Sequence, residues 1–409
     1  LVIRVGGFYA SGGFRELTTT ARTFPLGQDA TDSIVVPDSR GTLLRLDPKE
    51  ASLAVPPSPT WEKPFTTAPT LVAGLDGTKP GLVAYQSSGS GVATSYQAVA
   101  LRADASTIWS ASLPVRPLND LTPANLDGDA IPDFVSEWGS LSDVVLNVRA
   151  LSGKNGSTLW NAAPVTPGAG RQPAGISVAK WNADGIDDLL LQGPTTYVLD
   201  GTNGASMMNG GSGQSYFLPV PIDIDGDGTS EVVVQGGYAP VAAYSHDLAT
   251  TLYASTDDDR PYPYGAIVRC SGEPVLVEGS LLHPARLKLT ALKAGVVSTV
   301  VLAGGKLFTD ETAAGTEFLG QLTSTTAHTN LLGGNRPTAL VGSTDGHLYG
   351  VNPCAATLDF SVELGVAVGE AVFGDTDGDG RDETIVGAAA GFPYGLKNEA
   401  APPPPPVLA

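Results

Sequence analysis

The chain has 409 residues, with 42 Asp and Glu against 23 Lys and Arg, and a formal net charge of −19. That balance argues against a nucleic-acid partner, whose phosphates need Lys and Arg, and against an anionic membrane surface; it favours cations or simple solubility. No run of about 18 apolar residues occurs, so no segment is expected to span a membrane.

The 50 Gly and 32 Pro, with 42% hydrophobic residues, are the profile of many short strands joined by tight turns. The chain opens on Leu1-Val-Ile-Arg-Val5, with no charged-then-apolar leader before it, which is expected of a processed or trimmed form. The first apolar strand run is Ile34-Val-Val36, after Asp32-Ser33. Further runs follow at Leu82-Val83, Phe134-Val135, Leu189-Leu-Leu191, Val232-Val-Val234, Val275-Leu-Val277, Ala339-Leu-Val341 and Ile385-Val386. Positions one or two residues ahead of these runs stand at 32, 81, 133, 188, 231, 274, 338 and 383, a repeat of about 50 residues. A second mark follows the strands: an aromatic eight or nine residues beyond Leu101, Leu151, Tyr244 and Val351, at Trp109, Trp160, Tyr253 and Phe360. Turns such as Ser152-Gly-Lys-Asn-Gly156 and Asp200-Gly-Thr-Asn-Gly204 lie between, and Asn-Gly and Asp-Gly supply the positive φ of tight hairpins.

A unit of that size holding several strands is one propeller blade. The predicted fold is all-β: a single β-propeller of about eight four-stranded blades over residues 1–398. Seven blades remain the alternative, because the spacing from 274 to 338 is irregular. The last copy runs out soon after Val386, and the N-terminal strands precede the first copy, so the two ends are expected to complete one blade and close the ring. Residues 399–409 contain Ala401-Pro-Pro-Pro-Pro-Pro406, an extended polyproline tail or linker.

Four copies carry an acidic loop directly before the strand. Oxygen ligands at alternate positions of a glycine-containing loop suit calcium, which takes six to eight oxygens. The copy at 223–231 has Asp223, Asp225, Asp227, the Thr229 carbonyl and Glu231. The copy at 375–383 has Asp375, Asp377, Asp379, the Arg381 carbonyl and Glu383. The copy at 125–133 has Asn125, Asp127, Asp129, the Ile131 carbonyl and Asp133, with Ala130 where glycine is expected. The copy at 180–188 has Asn182, Asp184, the Ile186 carbonyl and Asp188, but Lys180 in first place, whose ammonium could replace the ion. Carboxylates so crowded repel one another unless a cation lies between them.

These loops resemble the DxDxDGxxD loops of FG-GAP and VCBS repeats, found in integrin α-chain propellers and bacterial surface proteins. The resemblance implies that each loop joins the first two strands of a blade, with the calcium ions on one face of the disc and partners elsewhere. It also implies a secreted or cell-surface protein. The Trp109 and Trp160 mark looks like the outer strands of quinoprotein-type propellers, without a cofactor constellation.

Cys270 and Cys354 have no metal-binding spacing. In an oxidising compartment they would pair; otherwise they are two separate buried thiols. A four-stranded meander would put both on one face of adjacent blades. His246, His283, His328 and His347 fall in different copies and read as isolated residues. No base and charge-stabilising residues assemble into a catalytic set. The expected role is an adhesion or interaction scaffold for protein or glycan, with self-association in a filament or surface layer as one alternative. A calcium-bearing polysaccharide lyase is another.

Overall fold

The computed structural model describes residues 2–7, 22–24, 33–37, 42–46, 60–65, 70–77, 79–89, 94–114, 117–118, 121–138, 146–165, 175–192, 195–211, 218–234, 241–255, 265–279, 286–302, 322–333, 335–343, 345–365, 368–376, 379–388 and 394–399. These form eight four-stranded antiparallel sheets.

Blade 1 contains β2 (Arg22–Phe24), β3 (Ser33–Pro37), β4 (Thr42–Leu46) and β5 (Trp61–Pro64). Blade 2 follows with β6 (Thr70–Asp76), β7 (Lys79–Ser88), β8 (Ser95–Arg102) and β9 (Thr107–Leu113). Blade 3 is β10 (Thr122–Ala124), β11 (Asp133–Trp138), β12 (Leu146–Leu151) and β13 (Thr158–Val165). In blade 4 come β14 (Ile176–Ala179), β15 (Asp188–Gln192), β16 (Thr196–Leu199) and β17 (Ser206–Gly210). Blade 5 has β18 (Val220–Ile222), β19 (Glu231–Val234), β20 (Ala242–Tyr244) and β21 (Thr251–Ala254). Blade 6 has β22 (Ala266–Cys270), β23 (Glu273–Gly279), β24 (Arg286–Ala291) and β25 (Val296–Val301). Blade 7 has β26 (Leu322–His328), β27 (Thr338–Ser343), β28 (His347–Asn352) and β29 (Thr357–Glu363).

The eighth sheet is built from both ends of the chain. It runs β30 (Val368–Gly374), β31 (Glu383–Ala388), β32 (Tyr394–Glu399), and then β1 (Val2–Gly7) as its outermost strand. β1 pairs with β32 from Val2 opposite Glu399 to Gly7 opposite Tyr394. β2 of the first blade in turn touches β30 of the last, so the ring closes. The blade count is eight. β32 runs one residue past the expected boundary at 398, and the polyproline tail lies outside the described residues.

The apolar runs of the repeat are the second strand of each blade. β15, β19 and β27 are buried along their whole length, because each has sheet on both sides and a neighbouring blade on both faces. A strand buried on both faces reads as a continuous apolar run rather than an alternation. The core lies between blades: Val135 packs with Leu189 and Leu191 across blades 3 and 4, and Leu190 with Val232 and Val234 across blades 4 and 5. The outermost strands carry the recurring aromatics. Trp61, Trp109 and Trp160 each donate an indole N–H to a backbone carbonyl of the next blade: Ala103 at 2.9 Å, Gly153 at 2.6 Å and Gly201 at 2.8 Å. The ring of Trp109 lies so close to Gly156 that a Cβ there would stand 2.6 Å from it.

Candidate metal centre

All four acidic loops join the first strand of a blade to the second: β10 to β11, β14 to β15, β18 to β19, and β30 to β31. They therefore share one face of the ring. Blade 6 has only the two-residue turn Ser271-Gly272 in this place, with φ of 53° and 91°.

Each loop curls by local hydrogen bonds from main chain to side chain, the habit of Asp and Asn in turns. In the blade 3 loop, Asn125 Oδ1 accepts from Gly128 N–H (3.0 Å), Asp127 Oδ1 from Asp129 N–H (2.9 Å) and Asp129 Oδ1 from Ile131 N–H (2.7 Å). In blade 5, Asp223 Oδ2 accepts from Gly228 N–H (3.1 Å), and Asp227 Oδ1 from both the N–H and the hydroxyl of Thr229. In blade 8, Asp375 Oδ2 accepts from Gly380 N–H (2.9 Å) and Asp379 Oδ1 from Arg381 N–H (3.0 Å). Asp377 lies outside the described residues. The blade 3 loop takes its left-handed turn at Gly128, φ 77°; Gly228 takes one at the place in blade 5 where blade 3 has Ala130.

The last acid of each loop is its buried anchor. Asp133 and Asp188 are fully buried, and Glu231 and Glu383 nearly so. Asp133 Oδ2 accepts from the N–H groups of Leu126 and Asp127, while its Oδ1 accepts from Gly153 N–H in the blade's last turn at 2.9 Å. Asp188 does the same with Trp181, Asn182 and Gly201. Glu231 accepts from Ile224 N–H at 2.6 Å, and Glu383 from the N–H and hydroxyl of Thr376. Burial raises the pKa of all four above the usual carboxylate range, and the neighbouring acids of each loop raise it further.

Among the described residues, two groups bring carboxylate oxygens within 4.8 Å of one another: Asp223, Asp225 and Glu231 in blade 5, and Asp184, Asp188 and Asp200 in blade 4. Either could hold a metal ion. The donor set is all oxygen, which suits a hard cation. Asp200 belongs to the last turn of blade 4, a residue that loop spacing does not reveal; the Gly201 N–H bond to Asp188 is what brings that turn to the loop. The blade 4 loop already carries a positive charge: Lys180 Nζ donates to the Gly185 carbonyl at 2.6 Å and lies 3.2 Å from Asp187. Blade 6 sends two cations back to blade 5, where Arg269 donates to the Asp223 carbonyl (2.6 Å) and Lys293 to the Asp225 carbonyl (2.7 Å).

Cys270 and Cys354 form a disulfide, with Cα atoms 5.3 Å apart. It joins the end of β22 in blade 6 to the last turn of blade 7, on the face of the acidic loops. Among the described histidines none pairs with another. His246 stacks on Trp181, and His328 bonds Asp382 at 2.7 Å; His283 lies outside the described residues.

The fold and its ring closure define a β-propeller. No family model matches the chain, and no curated protein matches it in sequence. Solved propellers match in fold. Sqt1 of Saccharomyces cerevisiae is 10% identical, with 96% of this chain and 100% of that one covered at a TM-score of 0.64. BamB from Moraxella catarrhalis is 14% identical over 93% and 100%, at 0.53. BBS1N in its complex with ARL6DN is 11% identical over 96% and 95%, at 0.51. At such identity the likeness is one of fold.

Proposed function

We propose that the chain is a secreted or cell-surface interaction scaffold whose propeller is stabilised by calcium. The observation that carries this is the convergence of Asp223, Asp225 and Glu231 within 4.8 Å, in a loop whose spacing also offers Asp227 and the Thr229 carbonyl. Calcium fits better than magnesium, which keeps its waters rather than enter an all-protein cage. Asp223, Asp225, Asp227, the Thr229 carbonyl and Glu231 would hold one ion. Corresponding groups would hold others in blades 3 and 8: Asn125, Asp127, Asp129, the Ile131 carbonyl and Asp133 in the first, and Asp375, Asp377, Asp379, the Arg381 carbonyl and Glu383 in the second. The FG-GAP and VCBS likeness of the loops supports the same reading. The disulfide supports an oxidising compartment, where such bonds persist.

A rigid ring with an ion-ordered face presents loops without moving them, which suits recognition of a protein or a glycan. Among the structural neighbours, BBS1N is found in complex with ARL6DN, an instance of a propeller binding a protein. The test is calorimetry of the chelated protein titrated with calcium and then with magnesium. Tight calcium binding with a rise in melting temperature supports the reading. No calcium heat, or an equal response to magnesium, rejects it. Panels of glycans and of surface proteins, probed with and without calcium, then name the partner class.

A further inference from the structure

Among the described residues, the outermost strand of every blade has no further strand on its outer edge, and proteins blunt such edges with charge, proline or brevity. β5 has Glu62, Lys63 and Pro64; β13 has Pro164; β29 has Asp359 and Glu363; β1 has Arg4. β17 and β21 are short, with five and four residues. β9 has none of these devices, but its fully exposed positions are Thr107, Ser110 and Ser112. β25 of blade 6 is different. Its six residues, Val-Val-Ser-Thr-Val-Val, contain no charge and no proline, and all but Val300 are exposed. Val296, Val297 and Val301 are 57%, 45% and 49% exposed, half of the large exposed hydrophobics among the described residues.

We propose that β25 is a dimerisation edge and that its occupant is β25 of a second copy of this chain. Alternate residues of a strand share a face, so Val297, Thr299 and Val301 lie together, all exposed. An antiparallel pair related by a two-fold axis places each residue opposite one on the same face. With the axis at Thr299, Val297 stands opposite Val301 of the second copy, Thr299 opposite Thr299, and Val301 opposite Val297. The face is self-complementary, as an isologous contact requires, and Val–Val and Thr–Thr are stabilising cross-strand pairs. A net charge of −19 opposes self-association in general, which makes a charge-free edge the place where two copies can meet. The two blades numbered 6 would form one continuous eight-stranded sheet, and since each copy offers one such edge the assembly closes at two.

Sedimentation and light scattering of the intact chain in calcium are expected to give twice the chain mass of 41.8 kDa. Val297→Lys with Val301→Lys sets like charges opposite each other and is expected to give monomers. Val297→Lys with Val301→Glu sets opposite charges there and is expected to restore the dimer, which separates a broken interface from a broken fold. Opposed residues of an antiparallel pair lie about 4.5–5.5 Å apart at Cα, within disulfide reach. Both native cysteines are already paired, so Thr299→Cys is expected to cross-link two chains on mild oxidation, and Ser298→Cys, on the other face, is not. A monomeric wild-type chain, an open-ended polymer, or a dimer untouched by the double-lysine variant overturns the proposal.

Discussion

Asn125 and Asp187 exchange two hydrogen bonds across the boundary between blades 3 and 4. The N–H of Asn125 donates to Asp187 Oδ2 at 2.8 Å, and the N–H of Asp187 donates to the Asn125 carbonyl at 2.9 Å. The first residue of one acidic loop is thus held by the penultimate residue of the next. Asp187 also faces Lys180. Asp187→Ala removes the side-chain bond and leaves the backbone one. The expected loss is about 1 kcal/mol, less than a hydrogen bond to a buried charged group contributes, because the carboxylate is partly exposed. Urea unfolding at fixed calcium measures it; an unchanged midpoint would mean that the two loops are independent.

Removal of calcium is expected to lower the melting temperature. A ligand bound only by the folded state stabilises it by about 2.7 kcal/mol at a hundredfold excess over Kd. Asp225→Ala takes a carboxylate out of the blade 5 cluster and is expected to release one ion; Asp377→Ala is expected to release another from blade 8. Lys180→Ala is expected to release none, because it removes no carboxylate and only takes away the ammonium that bonds Gly185 and faces Asp187. Native mass spectrometry counts the ions in all three variants. Equal counts in the wild type and both aspartate variants would reject the assignment.

Much of this arrangement is legible in the sequence, and the reason is burial. β11, β15, β19, β23, β27 and β31 are enclosed on every side, so they announce themselves as apolar runs. The irregular spacing after 274 falls where residues 303–321, outside the described residues, separate β25 from β26. The role of Asp200 is not legible, because its place over the blade 4 loop depends on how the last turn of the blade folds back, which no spacing encodes. The same holds for Arg269 and Lys293, which reach a loop in another blade. The last acid of each loop was readable as a ligand but not as an anchor: the Gly153 bond to Asp133 crosses 20 residues of chain.

The buried anchors also set a pH dependence. In the metal-free fold Asp133, Asp188, Glu231 and Glu383 titrate above the usual carboxylate range, while in the unfolded chain they keep values of about 4. The folded state therefore takes up protons at a pH where the unfolded state does not. These groups stabilise the metal-free fold as pH falls through that window and cost stability as pH rises through it. Calcium needs them ionised, so its stabilisation is expected to shrink over the same window. Melting curves in calcium and in chelator, taken from pH 7 downwards, give the difference directly. A calcium increment that stays constant as the acids protonate would place these carboxylates outside the ion's reach.

The disulfide stands where the acidic loops are missing. Blade 6 has the bare Ser271-Gly272 turn, and in blade 7 residues 329–337 between β26 and β27 contain no Asp or Glu. Cys270 and Cys354 tie the two blades on the face where blades 3, 4 and 5 have their acids, with 84 residues between them in sequence. Closing a loop of that length restricts the unfolded chain by on the order of 4 kcal/mol in the chain-entropy model. Reduction, or Cys270→Ser with Cys354→Ser, is therefore expected to lower stability by up to that amount and to leave the ion count unchanged, since neither cysteine touches an acidic cluster. Chelation and reduction should then add as long as Arg269, which adjoins Cys270 and donates to the Asp223 carbonyl, keeps that bond when the disulfide opens. Melting curves of the oxidised and reduced protein, each with calcium and with chelator, complete the square. If reduction releases calcium, or the two losses fall well short of additive, the clamp and the ions are parts of one structure rather than two.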